Sequence, residues 1–497
     1  MSFVDLRFLI FLPTVLVLHY LLPERFRWLL LLIASYLFYM AWKPEYALLL
    51  LLITTIDFIA GMQMENSKST HVRRVWLWVS LAGNLGILFV FKYFNFVFDS
   101  LQSFLQAMHY SQELPVLSLL LPIGISFHVF QSISYSIEVY RGRFPATRHF
   151  GKFALYVSFF PQLVAGPIER PSHLLKQIID GPRATLYGAR HGAKLIAWGF
   201  FKKLVVADNL APAVTAVYAA PGRFTGPSLM IATAMFAYQL YGDFSGYTDI
   251  ARGSAKLFGY DLMLNFDRPY AARSVADFWR RWHISLSSWL RDYLYYPLAL
   301  SGKHHSQTRL YASLFATFVL IGLWHGANWT FVAMGALFGF YLTFASITET
   351  ARKRMTRQIG LSAFPRIHRS LQVATTFILV SLAWVFFRTP DLHSAFFILS
   401  HMPTGFGDFY SQLNSLAGFQ KVILMGTSIS TLQGVTTGIC GIVILESVDL
   451  VRARGIFNSY MSIVPRPMRF LLYGTFVTGI LIFGQFSSSV PFIYFQF

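Results

Sequence analysis

The sequence predicts an all-α protein that crosses a membrane many times. Of its 497 residues, 55% are hydrophobic and only 13% are charged, whereas about a quarter of the residues of an ordinary soluble protein are charged. Apolar runs of about 20 residues recur along the chain, and a helix of that length spans a hydrocarbon layer about 30 Å thick. These runs lack the alternation of polar and apolar residues that is typical of strands.

A formal net charge of +19 could indicate a nucleic-acid partner, but the distribution of the charge indicates a membrane. The Lys and Arg residues cluster in short loops between the apolar runs, which is the pattern that the positive-inside rule describes. No basic stripe or aromatic stacking motif accompanies them. We therefore expect the chain to contact a lipid bilayer and not a nucleic acid.

Eleven or twelve crossings are predicted, in a single multi-pass domain over residues 1–497. The first run is interpreted as a retained span, because it lacks a strongly basic start and a small-residue cleavage site. Residues 150–167 end in Ala-Gly-Pro and precede a basic stretch, which favours a re-entrant or interfacial element. Basic loops in the cytoplasm put both termini outside. The crossings are expected at 5–22, 26–43, 46–64, 75–97, 115–139, 195–218, 228–243, 309–325, 327–347, 370–388, 430–448 and 470–488.

Between about 244 and 308 the chain is too polar to cross lipid, yet it is rich in Trp, Tyr and Arg. Large apolar residues recur at steps of three and four over 278–294, which predicts one amphipathic helix in the membrane interface. Arg280 and Arg291 lie nearly opposite the apolar stripe and Arg281 lies to one side, so a basic face is expected toward headgroups or an anionic ligand. The stripe consists of Phe278, Trp282, Leu286, Trp289 and Tyr293.

His283 lies on the flank of this predicted helix, away from the centre of the stripe. An interfacial histidine that only forms hydrogen bonds explains the position as well as a functional one does, so the pattern leaves both interpretations open. A metal site is not expected, because no i,i+4 histidine pair and no cluster of carboxylates is present. The single cysteine, Cys440, excludes an intramolecular disulfide.

His325 lies where two apolar runs meet, within Gly322-Leu-Trp-His-Gly-Ala-Asn-Trp. So short and neutral a connection puts an imidazole and the Asn328 amide at or below the membrane surface. Ionisable groups in membrane segments are costly and therefore suggest function. An imidazole is also well suited to remove a hydroxyl proton near neutral pH. A structural histidine at a helix junction is the alternative.

Further polar residues interrupt apolar runs and suggest a lined cavity. Asp243, Ser245 and Asp249 follow one run closely, and Ser126 and His128 lie within another. Helix capping or pairing with an arginine would also explain the two aspartates. Ser245 is not in a nucleophile elbow, since the Gly-x-Ser-x-Gly frame is missing.

These segments resemble the membrane-bound O-acyltransferase family, in the branch of bacterial alginate O-acetyltransferase membrane subunits. The resemblance covers nearly the whole chain. One segment, Val164-Ala-Gly-Pro-Ile-Glu-Arg, differs from the form expected in that branch, and the resemblance therefore leaves the identity of the acceptor polymer open. The most specific segments are Phe278-Trp-Arg-Arg-Trp-His-Ile-Ser-Leu-Ser-Ser-Trp-Leu-Arg-Asp-Tyr, Leu323-Trp-His-Gly-Ala-Asn-Trp, Tyr241-Gly-Asp-Phe-Ser-Gly-Tyr-Thr-Asp, Leu121-Pro-Ile-Gly-Ile-Ser-Phe and Pro491-Phe-Ile-Tyr-Phe-Gln-Phe.

The resemblance implies membrane helices around a central tunnel, in which an acyl group from a cytoplasmic thioester passes toward the outer face. His325 would be the general base or a transient acetyl carrier, and His283, with Asp277 or Asp292 nearby in sequence, would orient or polarise the donor thioester. Acetyl-CoA or an acyl carrier thioester is the expected donor, with no permanently bound cofactor. The residues expected to bind the donor or line the tunnel are Asp277, Arg280, Arg281, Trp282, Arg291, Asp292, Trp324, Asn328, Asp243 and Ser245.

The resemblance also implies a bacterial inner membrane protein with a polysaccharide as final acceptor. Alginate, cellulose, peptidoglycan or another exopolysaccharide would be acetylated through a periplasmic acetyltransferase-like partner. That partner is expected to dock at an exposed C-terminal tail with Phe492, Tyr494 and Phe497. The loop topology predicts that His283 and His325 lie at different depths, one toward the donor and one toward the acceptor.

Two other classes of protein fit a multi-pass chain with polar residues at depth. A transporter or export channel for polysaccharide or small molecules is one, although such proteins commonly contain internal repeats, and this sequence shows none. A non-catalytic scaffold for envelope enzymes is the other. Transport without acyl transfer would indicate the first, and silent histidine variants would indicate the second.

Overall fold

The computed structural model of the chain describes residues 2–110, 113–164, 166–182, 184–301, 306–413, 429–455, 463–486 and 491–493. Every regular element in these ranges is a helix, which confirms the predicted all-α class. Five helices in the same ranges are long and apolar enough to cross a membrane, which confirms the multi-pass character. They are Tyr46–Asn66, Thr70–Ala107, Trp329–Ile347, Pro365–Arg388 and Leu432–Ala453.

Contacts within the chain define two compact units. The first consists of Met1–Ile196 and Thr248–Leu264, and the second of Ala197–Tyr247 and Asn265–Phe497. A single domain over the whole chain stays a prediction. From the start of the chain to Phe200, the α-helices are α1 Leu6–Leu21, α2 Glu24–Met40, α3 Tyr46–Asn66, α4 Thr70–Leu88, α5 Phe94–Ala107, α6 Ile125–Tyr140, α7 Phe150–Ser158, α8 Phe160–Leu163, α9 Lys176–Asp180 and α10 Leu186–Phe200.

A buried carboxylate joins α3, α4 and α6 in the first unit. Asp57 Oδ1 accepts hydrogen bonds from Ser80 Oγ at 2.5 Å and Ser136 Oγ at 3.3 Å, and Asn84 Nδ2 donates to the same carboxylate at 3.0 Å. Polar side chains that bond across apolar helices hold them together where lipid offers no partner. These bonds explain why a charged residue is tolerated inside a predicted crossing.

Two predicted elements of the first unit can be compared directly with the structure. Residues 150–167 form two short helices of nine and four residues, α7 and α8, which agrees with an element that does not cross the membrane. The predicted crossing at 115–139 is wrong in its first half, because the helix begins only at Ile125. Gly124 precedes it with a φ of 76°, a left-handed conformation that glycine adopts readily and that ends regular structure there.

The helices that follow belong wholly or partly to the second unit. A π-helical turn, Phe201–Ala207, continues α10, and another, Arg291–Tyr295, separates α14 from α15. The α-helices are α11 Asp208–Ala219, α12 Gly226–Leu257, α13 Val275–Arg281, α14 Ile284–Leu290, α15 Tyr296–Leu300, α16 Gln307–His325, α17 Trp329–Ile347, α18 Glu349–Gln358, α19 Pro365–Arg388, α20 Leu392–His401, α21 Phe406–Leu413, α22 Ile429–Ala453 and α23 Arg466–Phe483.

The single amphipathic helix predicted over 278–294 is wrong. The chain forms α13 and α14 with a break at Trp282 and His283, and His283 has left-handed backbone angles of φ 45° and ψ 53°. Phe278, Trp282 and Leu286 are nevertheless fully buried. The apolar period therefore identified the buried side chains, but it could not reveal a local change of backbone conformation.

The helix over the predicted crossing at 228–243 does not end there, because α12 continues to Leu257. Asp243 and Ser245 are buried inside this helix rather than beyond its end. Asp243 Oδ1 lies 2.7 Å from Lys203 Nζ, and Asp249 pairs with Arg252 at 3.8 Å. Because each charge has an ionic partner, polar residues do not terminate the helix.

Candidate active site

Asn265 determines the orientation and the tautomer of His283. Its Oδ1 lies 3.1 Å from His283 Nδ1 and accepts hydrogen bonds from the Ser285 backbone N–H at 3.2 Å and from Ser285 Oγ at 2.9 Å. A backbone N–H only donates, so the amide atom at this position is the oxygen. His283 Nδ1 must then carry the proton. The neutral ring is left with its lone pair on Nε2, the atom that can accept a proton from a substrate.

The backbone of His283 is strained, and Asn265 also stabilises this strain. A left-handed conformation costs a residue other than glycine about 1–3 kcal/mol and persists where the surroundings enforce it. The Ile284 N–H donates to the Asn265 carbonyl oxygen at 2.9 Å. Asn265 thus binds three consecutive residues, 283 to 285. Strained residues cluster at functional sites, which makes this junction a stronger candidate than the sequence suggested.

The side chain of His283 is fully buried, with 0% exposure. Its ring meets that of Phe244 of α12 edge-on, with 4.8 Å between the ring centroids, and its centroid lies 5.9 Å from that of the Trp324 ring. His283 belongs to the connection between α12 and α16, outside the membrane-spanning helices. Burial disfavours the imidazolium and holds the pKa of His283 well below its ordinary value, and a positive charge on His325 would lower the pKa further.

His325 ends α16 and is 3% exposed. The centroid of its ring lies 5.0 Å from the ring centroid of Trp324 and 5.6 Å from that of Phe387 of α19. Trp324 therefore contacts both histidine rings, and we call His283 and His325 the histidine pair. The break at His283 thus puts its ring in the same aromatic cluster as that of His325. The different depths expected for the two histidines in a membrane stay a prediction.

Close contact between α16 and α17 positions His325. A Cβ on Gly322 would collide with the carbonyl oxygen of Phe331, and a Cβ on Gly335 would collide with that of Phe318. Only glycine allows the two backbones to approach so closely. Asn328 caps α17, since its Oδ1 accepts from the Thr330 N–H at 3.0 Å. Its role in the hairpin is structural.

The charged residues predicted to assist His283 are engaged elsewhere. Asp277 Oδ1 accepts from Arg281 Nε at 2.9 Å, and Asp292 Oδ1 accepts from Arg291 Nε at 2.9 Å. Both aspartates therefore bind arginines of their own segment, and the side chain that orients the His283 ring is that of Asn265. Arg280 is exposed at the end of α13, which agrees with its predicted position on a basic face.

The other aromatic and hydroxyl residues predicted at the site are buried in the second unit. Trp282 is fully buried, and its ring lies 5.4 Å from Phe278 and 5.2 Å from Trp384 of α19. Ser245 is buried in α12. The described residues contain no group of three His, Cys, Asp or Glu side chains that could hold a metal ion.

The sequence analysis missed Lys203 and Asp208, which form a buried ionic cluster with Asp243. Lys203 Nζ lies 2.8 Å from Asp208 Oδ1 and 2.7 Å from Asp243 Oδ1. Both missed residues lie inside a predicted apolar crossing, and a charge in such a run could have identified them. Asn265 carried no comparable signal.

The predicted exposure of the C-terminal tail is wrong for Phe492. Phe492 is only 1% exposed, and the Ile493 N–H donates to Asp243 Oδ2 at 2.7 Å. Both residues pack inside the second unit because α12 provides an aromatic face and a carboxylate for them. Tyr494 and Phe497 lie outside the described residues.

Fold and site together define a multi-pass membrane enzyme with a buried pair of histidines. Residues 143–388 match the MBOAT, or membrane-bound O-acyltransferase, family. Similarity to individual family members extends over most of the chain. The chain belongs to this family, and it is an O-acyltransferase.

Three relatives illustrate the similarity. The probable alginate O-acetylase of Azotobacter vinelandii is 40% identical over 424 residues, which cover 85% of this chain and 81% of the relative. The probable alginate O-acetylase of Pseudomonas syringae pv. tomato is 41% identical over 84% of this chain and 78% of the relative. The peptidoglycan O-acetyltransferase of Helicobacter pylori is 34% identical over 76% of this chain and 73% of the relative.

Proposed function

We propose that this protein passes an acetyl group from a cytoplasmic thioester across the bacterial inner membrane for O-acetylation of an extracytoplasmic polysaccharide. The contact of Trp324 with both His283 and His325 is the observation that carries the proposal. It brings two imidazoles together in a buried, aromatic site. Such a site excludes water, which would otherwise hydrolyse the thioester.

The histidine pair removes the proton of the acceptor hydroxyl. The hydroxyl oxygen then attacks the carbonyl carbon of the thioester, the carbon–sulfur bond breaks, and the leaving thiolate recovers the proton from the imidazolium. His325 is the general base that we expected. The tautomer of His283 makes its Nε2 a proton acceptor, so proton transfer suits it better than polarisation of the thioester carbonyl.

The donor is acetyl-CoA or an acyl carrier thioester, and no permanently bound cofactor takes part. Exposed Arg280 supports a donor that carries phosphate, because a guanidinium binds phosphate oxygens in a bidentate manner. Arg281 and Arg291 already bind carboxylates, so they would have to exchange partners to bind a donor.

The final acceptor is an extracytoplasmic polysaccharide such as alginate, cellulose, peptidoglycan or another exopolysaccharide. The names of the relatives, alginate O-acetylase and peptidoglycan O-acetyltransferase, support acceptors of this class. A periplasmic acetyltransferase-like partner completes the transfer, and both termini of the chain are periplasmic. Because Phe492 is buried, we do not assign the docking of this partner to that residue.

Transfer across sealed vesicles tests the proposal. Inside-out membrane vesicles that contain the protein receive acetyl-CoA labelled in the acetyl group, with soluble polysaccharide and the partner enclosed. We expect label on the enclosed polysaccharide only when donor and protein are both present, and vesicles without the protein are the control. Passage of polysaccharide without any labelled ester would contradict acyl transfer and support an export channel.

A further prediction concerns the pH dependence of acyl transfer. A base whose pKa is lowered stays neutral, and therefore active, in more acidic solution than an ordinary histidine with a pKa of about 6.5. Because burial lowers the pKa of His283, the midpoint of the acidic limb in the pH profile of kcat/KM should lie below pH 6.5. Initial rates of label transfer across a pH series measure it. An acidic limb above that value would show that a neutral, buried His283 does not govern the rate.

A further inference from the structure

The C-terminal residues Phe492 and Ile493 pack against the same helix that contacts His283. The centroid of the Phe492 ring lies 4.1 Å from the ring centroid of Tyr247 and 5.9 Å from that of Phe244, both of α12. Phe244 in turn meets the His283 ring at 4.8 Å. Phe244 and Tyr247 are three residues apart and therefore share one face of the helix. Phe492 thus lies behind the ring that contacts His283.

A buried ionic cluster holds the backbone at this position. Asp243 Oδ2 accepts the Ile493 N–H at 2.7 Å, while Asp243 Oδ1 lies 2.7 Å from Lys203 Nζ. Lys203 also pairs with Asp208 at 2.8 Å, and the Lys203 and Asp243 side chains are at most 4% exposed. Breaking a buried pair by removing one partner is strongly unfavourable. The Ile493 backbone is therefore bound to a carboxylate of α12 that is itself held by a buried ion pair.

We propose that Phe492, held in place by the hydrogen bond between Ile493 and Asp243, is a positioning residue that keeps Phe244 packed against the His283 imidazole. Protein interiors contain few voids, so truncating Phe492 would leave space into which Phe244 can move. The His283 ring would then lose its contact on that side, and its bond to Asn265 would no longer be enforced. The functional meaning of this role rests on the proposed function, but the packing itself does not.

Chemical modification of histidine tests the proposal without any acyl transfer. The purified full-length protein is treated with diethyl pyrocarbonate, and modification of each histidine is followed by mass spectrometry. His283 is fully buried and should react slowly, whereas exposed His71 should react fast. Because a buried group reacts through local opening, we expect Phe492→Ala to increase the rate of His283 modification about tenfold or more and to leave His71 unchanged.

Two comparisons separate positioning from general loosening. His128 lies in α6 and is 3% exposed, so it reports in the same sample on buried histidines of the first unit, and its rate should not change. Phe153→Ala truncates a fully buried phenylalanine of α7 that packs on Tyr135 at 4.4 Å, and it should leave His283 slow. An equal rise at His128 and His283 would overturn the proposal.

Graded variants keep the proposal testable if Phe492→Ala does not fold. Phe492→Leu retains most of the side-chain volume and should give a His283 rate between those of the wild type and Phe492→Ala. Asp243→Leu removes the acceptor of the Ile493 N–H while Lys203 keeps Asp208 as an ionic partner, so it should also accelerate His283 modification. Unchanged His283 reactivity in folded Phe492→Leu and Asp243→Leu would refute the positioning role, even if acyl transfer across vesicles were demonstrated.

Discussion

Replacing His283 by asparagine is expected to lower acyl transfer by at least about 100-fold, the range in which a general acid or base contributes, while the protein stays folded. Asparagine is among the few residues that adopt left-handed angles readily, so it tolerates the φ of 45° at this position. Its amide still forms hydrogen bonds but cannot take up a proton near neutral pH. Label transfer at equal protein levels and a thermal unfolding curve measure the two effects.

His283→Ala and His71→Asn are the informative companions of this variant. Alanine loses the imidazole and also adopts the left-handed conformation poorly, so it should unfold at a lower temperature than His283→Asn. His71 is exposed in α4, and its replacement should leave both transfer and stability unchanged. Wild-type transfer in His283→Asn would show that the imidazole takes no part in the reaction.

Replacing His325 by alanine is expected to reduce acyl transfer by about 100-fold to 10,000-fold, because a positioned general base contributes that much to a rate. The ring of His325 packs between Trp324 and Phe387, so the variant also leaves a cavity. His325→Gln fills more of the space and can form hydrogen bonds, but it cannot act as a base. An equal loss of acyl transfer in the two variants would therefore show that the missing proton transfer, and not the missing packing, lowers the activity.

His128→Ala provides a matched control for the His325 variants. His128 is as deeply buried as His325, at 3% exposure, but it lies in α6 of the first unit and is not part of the histidine pair. We expect its replacement to retain most of the transfer activity in folded protein. Full activity in both His325 variants would show that His325 is not the general base.

Much of the fold could be predicted from sequence because hydropathy is a local property of a segment. The crossings predicted at 309–325 and 327–347 agree closely with α16 and α17, Gln307–His325 and Trp329–Ile347. Asn328 marks their junction, since it caps the second helix. The same pattern failed at α12, where Asp243 looked like an end, because hydropathy does not show that Lys203 neutralises it.

The sequence named candidate residues for the site, but it did not reveal their geometry. His283 and His325 were recognised as candidates, and Trp324 was named beside them. Asn265, the group that orients His283, is 18 residues away in sequence and belongs to no motif. Acidic neighbours in sequence seemed better partners, but the arginines of the same segment bind them.

The sequence by itself determined an all-α membrane protein, most of its helix positions and the two histidines, because these depend on composition, period and short motifs. Only the tertiary structure decided that both histidines contact one tryptophan, that His283 has a left-handed backbone, and that Phe492 and Ile493 are buried. The bond between Ile493 and Asp243 joins residues 250 positions apart. Pairings of this kind arise from packing between distant segments, and no local pattern in the chain specifies them.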